Sequence, residues 1–392
     1  MSFAETRPDA GSDSLRSQAL GYILNDRFHR RFELPATADH EDLIVSYADV
    51  GRVPGTTSTS AQPTTILFMP GMFASRYAGV LLHAIAEKLG MRILVVDRPG
   101  MGQSTNVPLH QRVPIWIELV PRLLAHLGIE HVALVSHSAG TIFLLNTLYH
   151  CRDILYPERP FAALLTPWVD PSHSHVRSMQ MVGYLPAKSF SIWHQIPRFV
   201  VTQAEPALAS SGAVFTKFSN VISFGAMGAG QDNSGLERNR RRIERDYGVS
   251  RDMQIELEAL TSKLLFDEET VGANSEALLC LKKGPSGIWG KCDDYALFVR
   301  ELVDLERERR AIGSNTERGV RLKVRAYFSQ TDSMIGKRGQ SYVEACWKGE
   351  RSGEFDDVLD FRSSTIDATD HDSILRSVKV LERLFVDAGG SI

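Results

Sequence analysis

Between residues 66 and 166 the chain alternates short, nearly unbroken apolar runs with longer stretches of helical apolar spacing. Residues 66–69, 92–97, 131–136 and 161–166 are rich in large apolar and β-branched side chains and read as strands. Residues 77–90, 113–128 and 139–151 read as helices, the first ending at Gly90, a helix stop signal. Strands without polar alternation, separated by helices, predict a parallel sheet covered on both faces.

The alternation stops over residues 171–320, which are helical or irregular and include a glycine-rich piece at 224–235 and charged runs. It resumes with a strand at 322–329, a helix at about 338–348, a strand within 357–366 and a helix at 372–388. The expected organisation is an N-terminal extension (1–40), an α/β core (41–170 and 321–392) and a large, mainly helical cap inserted at 171–320. Ligands of open α/β sheets bind beyond the carboxyl ends of the strands, so the insertion is expected to cover that edge. The polar stretch 51–65 reads as an exposed loop.

Composition narrows this picture. Of 392 residues, 43 % are hydrophobic and 23 % charged, which is enough apolar material for a real core. The formal net charge of -3 supplies no basic field for nucleic acid. No apolar run reaches the roughly 18 residues that span a bilayer, and the first twenty residues lack the apolar centre of a secretory signal. Cys151, Cys280, Cys292 and Cys346 are scattered, without a CxxC pair, so reduced thiols and a cytoplasmic setting are expected.

Candidate chemistry centres on "VSHSAG" (135–140), where a strand turns into a helix. A nucleophile elbow needs small residues two before and two after its strained tip; Ser136 and Gly140 flank Ser138 in that way. A serine hydroxyl needs a base, and the base needs an orienting group. Asp332 follows the strand at 322–329, and His371, the last of twelve histidines, precedes the final helix. The oxyanion of acyl transfer needs backbone donors. Ala139 is one candidate and Met72 the other, in the loop 68–76, with Phe73 as second choice and Gly71 allowing close approach.

These residues resemble the α/β-hydrolase superfamily over about 40–170 and 320–390: the elbow at Ser138, the oxyanion loop at Pro70-Gly71, "DRPGMGQS" (97–104), the acid loop at Asp332 and the histidine loop at His371. Ser136 stands where the usual pattern has Gly, Pro70 where many members have His, and Ser329 where many have Gly. The resemblance implies a Ser138–His371–Asp332 triad forming an acyl-enzyme, without a cofactor. A serine at the elbow argues against epoxide hydrolases and haloalkane dehalogenases, whose relatives carry Asp there.

Asp170 is a rival acid, otherwise a hinge residue before Pro171. Asp367, Asp370 and Asp372 read as capping and loop charges, and Arg98 as a structural salt-bridge or turn residue. His137 reads as a locally packed or substrate-side residue, and His173 with His175 as a polar hinge rather than a metal pair. "GMGQST" (100–105) lacks the third glycine of a dinucleotide loop, and the basic run 238–248 reads as a solvated helix face. Met and aromatic residues at 179–200, with Met334, suit an apolar pocket. The expected substrate is a fairly apolar ester, thioester or lactone. Acyl transfer, carbon–carbon cleavage and simple ligand binding remain open, as does the oligomeric state.

Overall fold

The apolar runs form strands of one eight-stranded sheet, seen in a computed structural model that describes residues 10–53, 62–195, 233–312 and 319–390. The strands are β1 (Arg30–Leu34), β2 (Leu43–Gly51), β3 (Thr65–Met69), β4 (Arg92–Val96), β5 (Ala133–His137), β6 (Phe161–Leu165), β7 (Leu322–Thr331) and β8 (Leu359–Asp370). Their order is β1-β2-β4-β3-β5-β6-β7-β8. β2 runs antiparallel to β1 and β4, and every other pairing is parallel.

All five residues of each of β3, β4, β5 and β6 are buried, because helices cover both faces. The two-residue period of a strand divides their side chains between two cores. Leu67, Leu94, Leu134 and Leu164 pack with the helices Arg112–His126, Gly140–His150 and Tyr295–Ile312. Phe68, Val95, Val135 and Leu165 pack with Ala78–Lys88 and Val378–Ala388 on the other side.

Register places the loops. Met69 pairs with Ser136, so the loop after β3 lies beside the turn after β5. Thr331 pairs with Asp370 after an irregularity at Ser329, so the next residue of each strand, Asp332 and His371, are brought side by side.

Several details differ from expectation. Arg30–Leu34, read as part of an N-terminal extension, adds an edge strand to the sheet. β8 continues to Asp370, and the helix expected over 372–388 is a short turn of 3-10 helix, Ser373–Arg376, followed by Val378–Ala388. The basic run lies on the helix Asn233–Tyr247, but it is not a fully solvated face: Arg240 is buried against Glu258, and Arg242 pairs with Glu382.

Between β6 and β7 the described residues are helical, including Arg177–Tyr184, Asn233–Tyr247, Arg251–Asp267, Gly272–Cys280 and Tyr295–Ile312. The last of these sends Phe298, Val299, Leu302 and Val303 into the same core as Trp116 and Trp347. Residues 54–61, most of the glycine-rich piece 224–235 and the end of 179–200 lie outside the described residues. No described helix is long and apolar enough to cross a membrane. All four cysteines are free.

Candidate active site

β5 ends at His137, and the helix Gly140–His150 begins three residues later. Ser138 sits between them at φ +48°, in the left-handed region that costs a non-glycine residue on the order of 1–2 kcal/mol. Three backbone bonds hold it there. Its amide donates to the Leu165 carbonyl at 3.0 Å, and its carbonyl accepts from Thr141 at 2.9 Å and Trp168 at 3.2 Å. Gly140 is required by proximity: a Cβ there would stand 2.0 Å from the Met69 carbonyl oxygen. Ser136 is fully buried, and its hydroxyl has no hydrogen-bond partner among the described residues.

Ser138 Oγ lies 2.8 Å from Nε2 of His371, whose Nδ1 lies 2.9 Å from Oδ2 of Asp332. A carboxylate only accepts, so Nδ1 of a neutral His371 carries the proton and Nε2 faces the hydroxyl as an acceptor. Asp332 Oδ1 accepts from the amides of Met334 and Ile335, each at 2.8 Å, which fixes the carboxylate plane. All three side chains are buried.

The charges shape one another. Burial acts to raise the Asp332 pKa, but the His371 charge and the hydrogen bonds outweigh it and hold the carboxyl below its ordinary value. Burial acts to lower the His371 pKa; the carboxylates of Asp332, Asp372 and Asp370 outweigh it and push the imidazole up to about 9.

His137 lies beneath this pair. Its Nε2 donates at 2.9 Å to the His371 carbonyl, which also accepts from Thr166 Oγ1 at 3.1 Å. Burial first, and then the His371 charge, keep its pKa down to about 4, so the ring is neutral. His137, His371 and Asp372 could group around a metal ion. However, His371 already uses both ring nitrogens within the hydrogen-bonded chain, and His137 Nε2 is committed to a carbonyl.

The loop after β3 closes the site. A Cβ on Gly71 would stand 2.7 Å from His137 Nδ1 and 3.4 Å from Ser138 Cβ. Met72 is half-buried and packs against both cores, while Phe73 is buried at φ +62°. Among the described residues, neither the Met72 nor the Ala139 amide donates a hydrogen bond. Met334 is buried in the core beside the acid loop.

Asp170, the rival acid, instead caps the short helix Pro171–Ser174 by accepting from the Ser172 amide at 2.8 Å. Asp370 caps the turn after β8, accepting from Ser373 N at 2.8 Å. His173 stacks on Tyr342 at 4.0 Å. Two residues that the sequence reading passed over are Glu268 and Glu276, which reach back to Arg76 and Arg98 in the core. Glu276 is a lone acid in the mostly apolar helix Gly272–Cys280 and Glu268 sits in the acidic run 267–269 just past a helix end, and neither pattern points to a distant arginine.

The sequence matches no protein-family model and no curated protein. The fold matches many solved structures. A carboxylesterase of the archaeon Nitrososphaera gargenis is 12 % identical, with 91 % of this chain and 96 % of that one covered at a TM-score of 0.50. A candidate lipase of Acinetobacter baumannii is 13 % identical, with 98 % and 97 % covered at a TM-score of 0.52. This is the α/β-hydrolase fold.

Proposed function

We propose that the protein is a serine hydrolase acting on an ester, thioester or lactone of a fairly apolar small molecule. The hydrogen-bonded series Ser138–His371–Asp332 carries this reading, because it supplies nucleophile, base and orienting acid in one line. His371 Nε2 takes the Ser138 proton as Oγ attacks the carbonyl carbon. The resulting oxyanion accepts hydrogen bonds from the amides of Ala139 and Met72. The start of the helix Gly140–His150 adds its positive end. The imidazolium then protonates the leaving alcohol or thiol, and Asp332 stabilises the transient charge. Water, deprotonated by His371, attacks the acyl-enzyme and releases the acid and free Ser138.

In this reading 41–170 and 321–392 form the catalytic core, joined by the edge strand Arg30–Leu34 and the helix Tyr295–Ile312, and the rest of 171–320 forms the cap. The esterase and lipase descriptions of the two structural neighbours agree with it. A series of p-nitrophenyl esters of increasing chain length tests the proposal. Saturable hydrolysis with an optimum beyond acetate is expected, and a folded protein that turns over none of them would refute it.

A further inference from the structure

Arg98 occupies an unusual position. It follows Asp97 in the turn after β4, is buried, and touches three separate parts of the molecule. Its Nε and Nη2 fork onto the two carboxylate oxygens of Glu276, with Nη2 at 2.8 Å from Oε2. Its Nη1 donates to the Pro70 carbonyl, and Nη2 donates to the Gly71 carbonyl at 2.7 Å. The guanidinium carbon lies over the ring of Phe143, one turn into the helix behind Ser138, 5.3 Å from its centroid.

The Gly71 carbonyl and the Met72 amide belong to one planar peptide unit, with the oxygen and the hydrogen on opposite sides. Pinning the oxygen therefore aims the N–H. A cation bound to the carbonyl also polarises the unit and strengthens its amide as a donor. Glu276 comes from the helix Gly272–Cys280, in the segment inserted between β6 and β7, and sits 178 residues from Arg98.

That helix is docked closely. The Gly272 amide donates to Gly100 O at 2.8 Å, and the Gly102 amide to Glu269 O at 2.8 Å. A Cβ on Gly272 would stand 2.3 Å from the Pro99 carbonyl oxygen. Glu276 accepts a further bond from Arg112 Nη2 at 3.2 Å; Arg112 is likewise buried, and its Nε and Nη1 have no partner among the described residues. Two guanidiniums thus share one carboxylate.

We propose that Glu276 is a positioning residue: through Arg98, the inserted segment sets the Met72 amide for the oxyanion. The inference rests on the serine hydrolase reading for its catalytic consequence, but the mechanical link between Glu276 and the loop stands without it. Without Glu276 the guanidinium keeps, besides the two carbonyls, only its contact with Phe143, and the Gly71 carbonyl only the Ala74 amide at 3.1 Å as a firm partner among the described residues; a misplacement of about 1 Å at a reacting centre costs about 100-fold.

The test uses Glu276→Gln, with Arg112→Met as a comparison that leaves the fork on Arg98 whole. In Glu276→Gln, kcat is expected to fall about 10- to 100-fold with KM within twofold, and Ki for an alkyl boronic acid is expected to rise in parallel. Amide exchange over residues 70–76 is expected to speed up several-fold while β5 is unchanged. Arg112→Met should keep kcat within about threefold. Arg98→Lys keeps the charge but cannot bridge two carbonyls and a carboxylate, so it should show the same kcat loss if Glu276→Gln fails to fold. Unchanged exchange at 70–76 overturns the brace, whatever the protein hydrolyses. Faster exchange with kcat intact overturns its catalytic role, as does an equal kcat loss in Arg112→Met. Failure of the wild-type enzyme to react at Ser138 overturns the hydrolase reading alone, since the exchange measurement still decides the brace.

Discussion

Gly71 and His137 approach closely across the site: the glycine has no room for a side chain, because a Cβ there would stand 2.7 Å from the imidazole Nδ1. The ring that fills this space also holds the His371 carbonyl. One buried, neutral histidine therefore spaces the loop after β3 from the loop after β8.

Gly71→Ala must displace one or the other. The expected outcome is a fall of kcat/KM of about 10- to 100-fold with little loss of stability, read by ester hydrolysis and thermal unfolding. Wild-type kcat/KM in this variant would contradict the close approach.

Ser136 gives a stability prediction of opposite sign. Its hydroxyl, two residues before Ser138, is buried without a partner among the described residues. Leaving such a group unsatisfied costs about 1–3 kcal/mol, so Ser136→Ala should stabilise the fold by about 1 kcal/mol or more. Gly140→Ala, whose Cβ would overlap the Met69 carbonyl, should cost about 1–3 kcal/mol or more, as overpacking at a rigid site does. Denaturant midpoints of both variants check the pair.

The pH profile follows from the raised His371 pKa. A protonated imidazole cannot accept the Ser138 proton, so kcat/KM should climb with pH through a limb centred above 6.5, towards about 9. Burial opposes this shift and Asp332 is the chief cause of it, so Asp332→Asn should move the limb to lower pH. In that weak variant the limb can be read from the rate of fluorophosphonate labelling. The stability linkage has the matching sign. The raised His371 pKa contributes stability fully below pH 6.5, lost as pH rises through about 9. The lowered Asp332 pKa contributes above pH 3.8, and its share is lost as pH falls through the folded value.

Much of the core was legible because burial on both faces leaves β3 to β6 as unbroken apolar runs that no solvated loop imitates. β1 was not: Arg30, Arg31 and Glu33 are exposed at the sheet edge, so its five residues carry a weak apolar signal. The final helix was placed too early because Asp372 looks like a helix start, whereas Ser377, extended at ψ 101°, breaks the run. Ser138, Asp332 and His371 could be picked from chain order and loop position, which local sequence records. Arg98 reads as a salt-bridge residue and makes one, but its partner Glu276 could not be named, since a long-range ion pair leaves no trace in spacing.

The Ser138 hydroxyl is the centre of the account, and intact-mass analysis after treatment with a fluorophosphonate tests it most directly. The wild-type protein should gain one adduct, mapped to the peptide bearing Ser138, and Ser138→Ala should gain none while keeping its unfolding temperature. An adduct that persists in Ser138→Ala, or a folded wild-type protein that gains none, would contradict it.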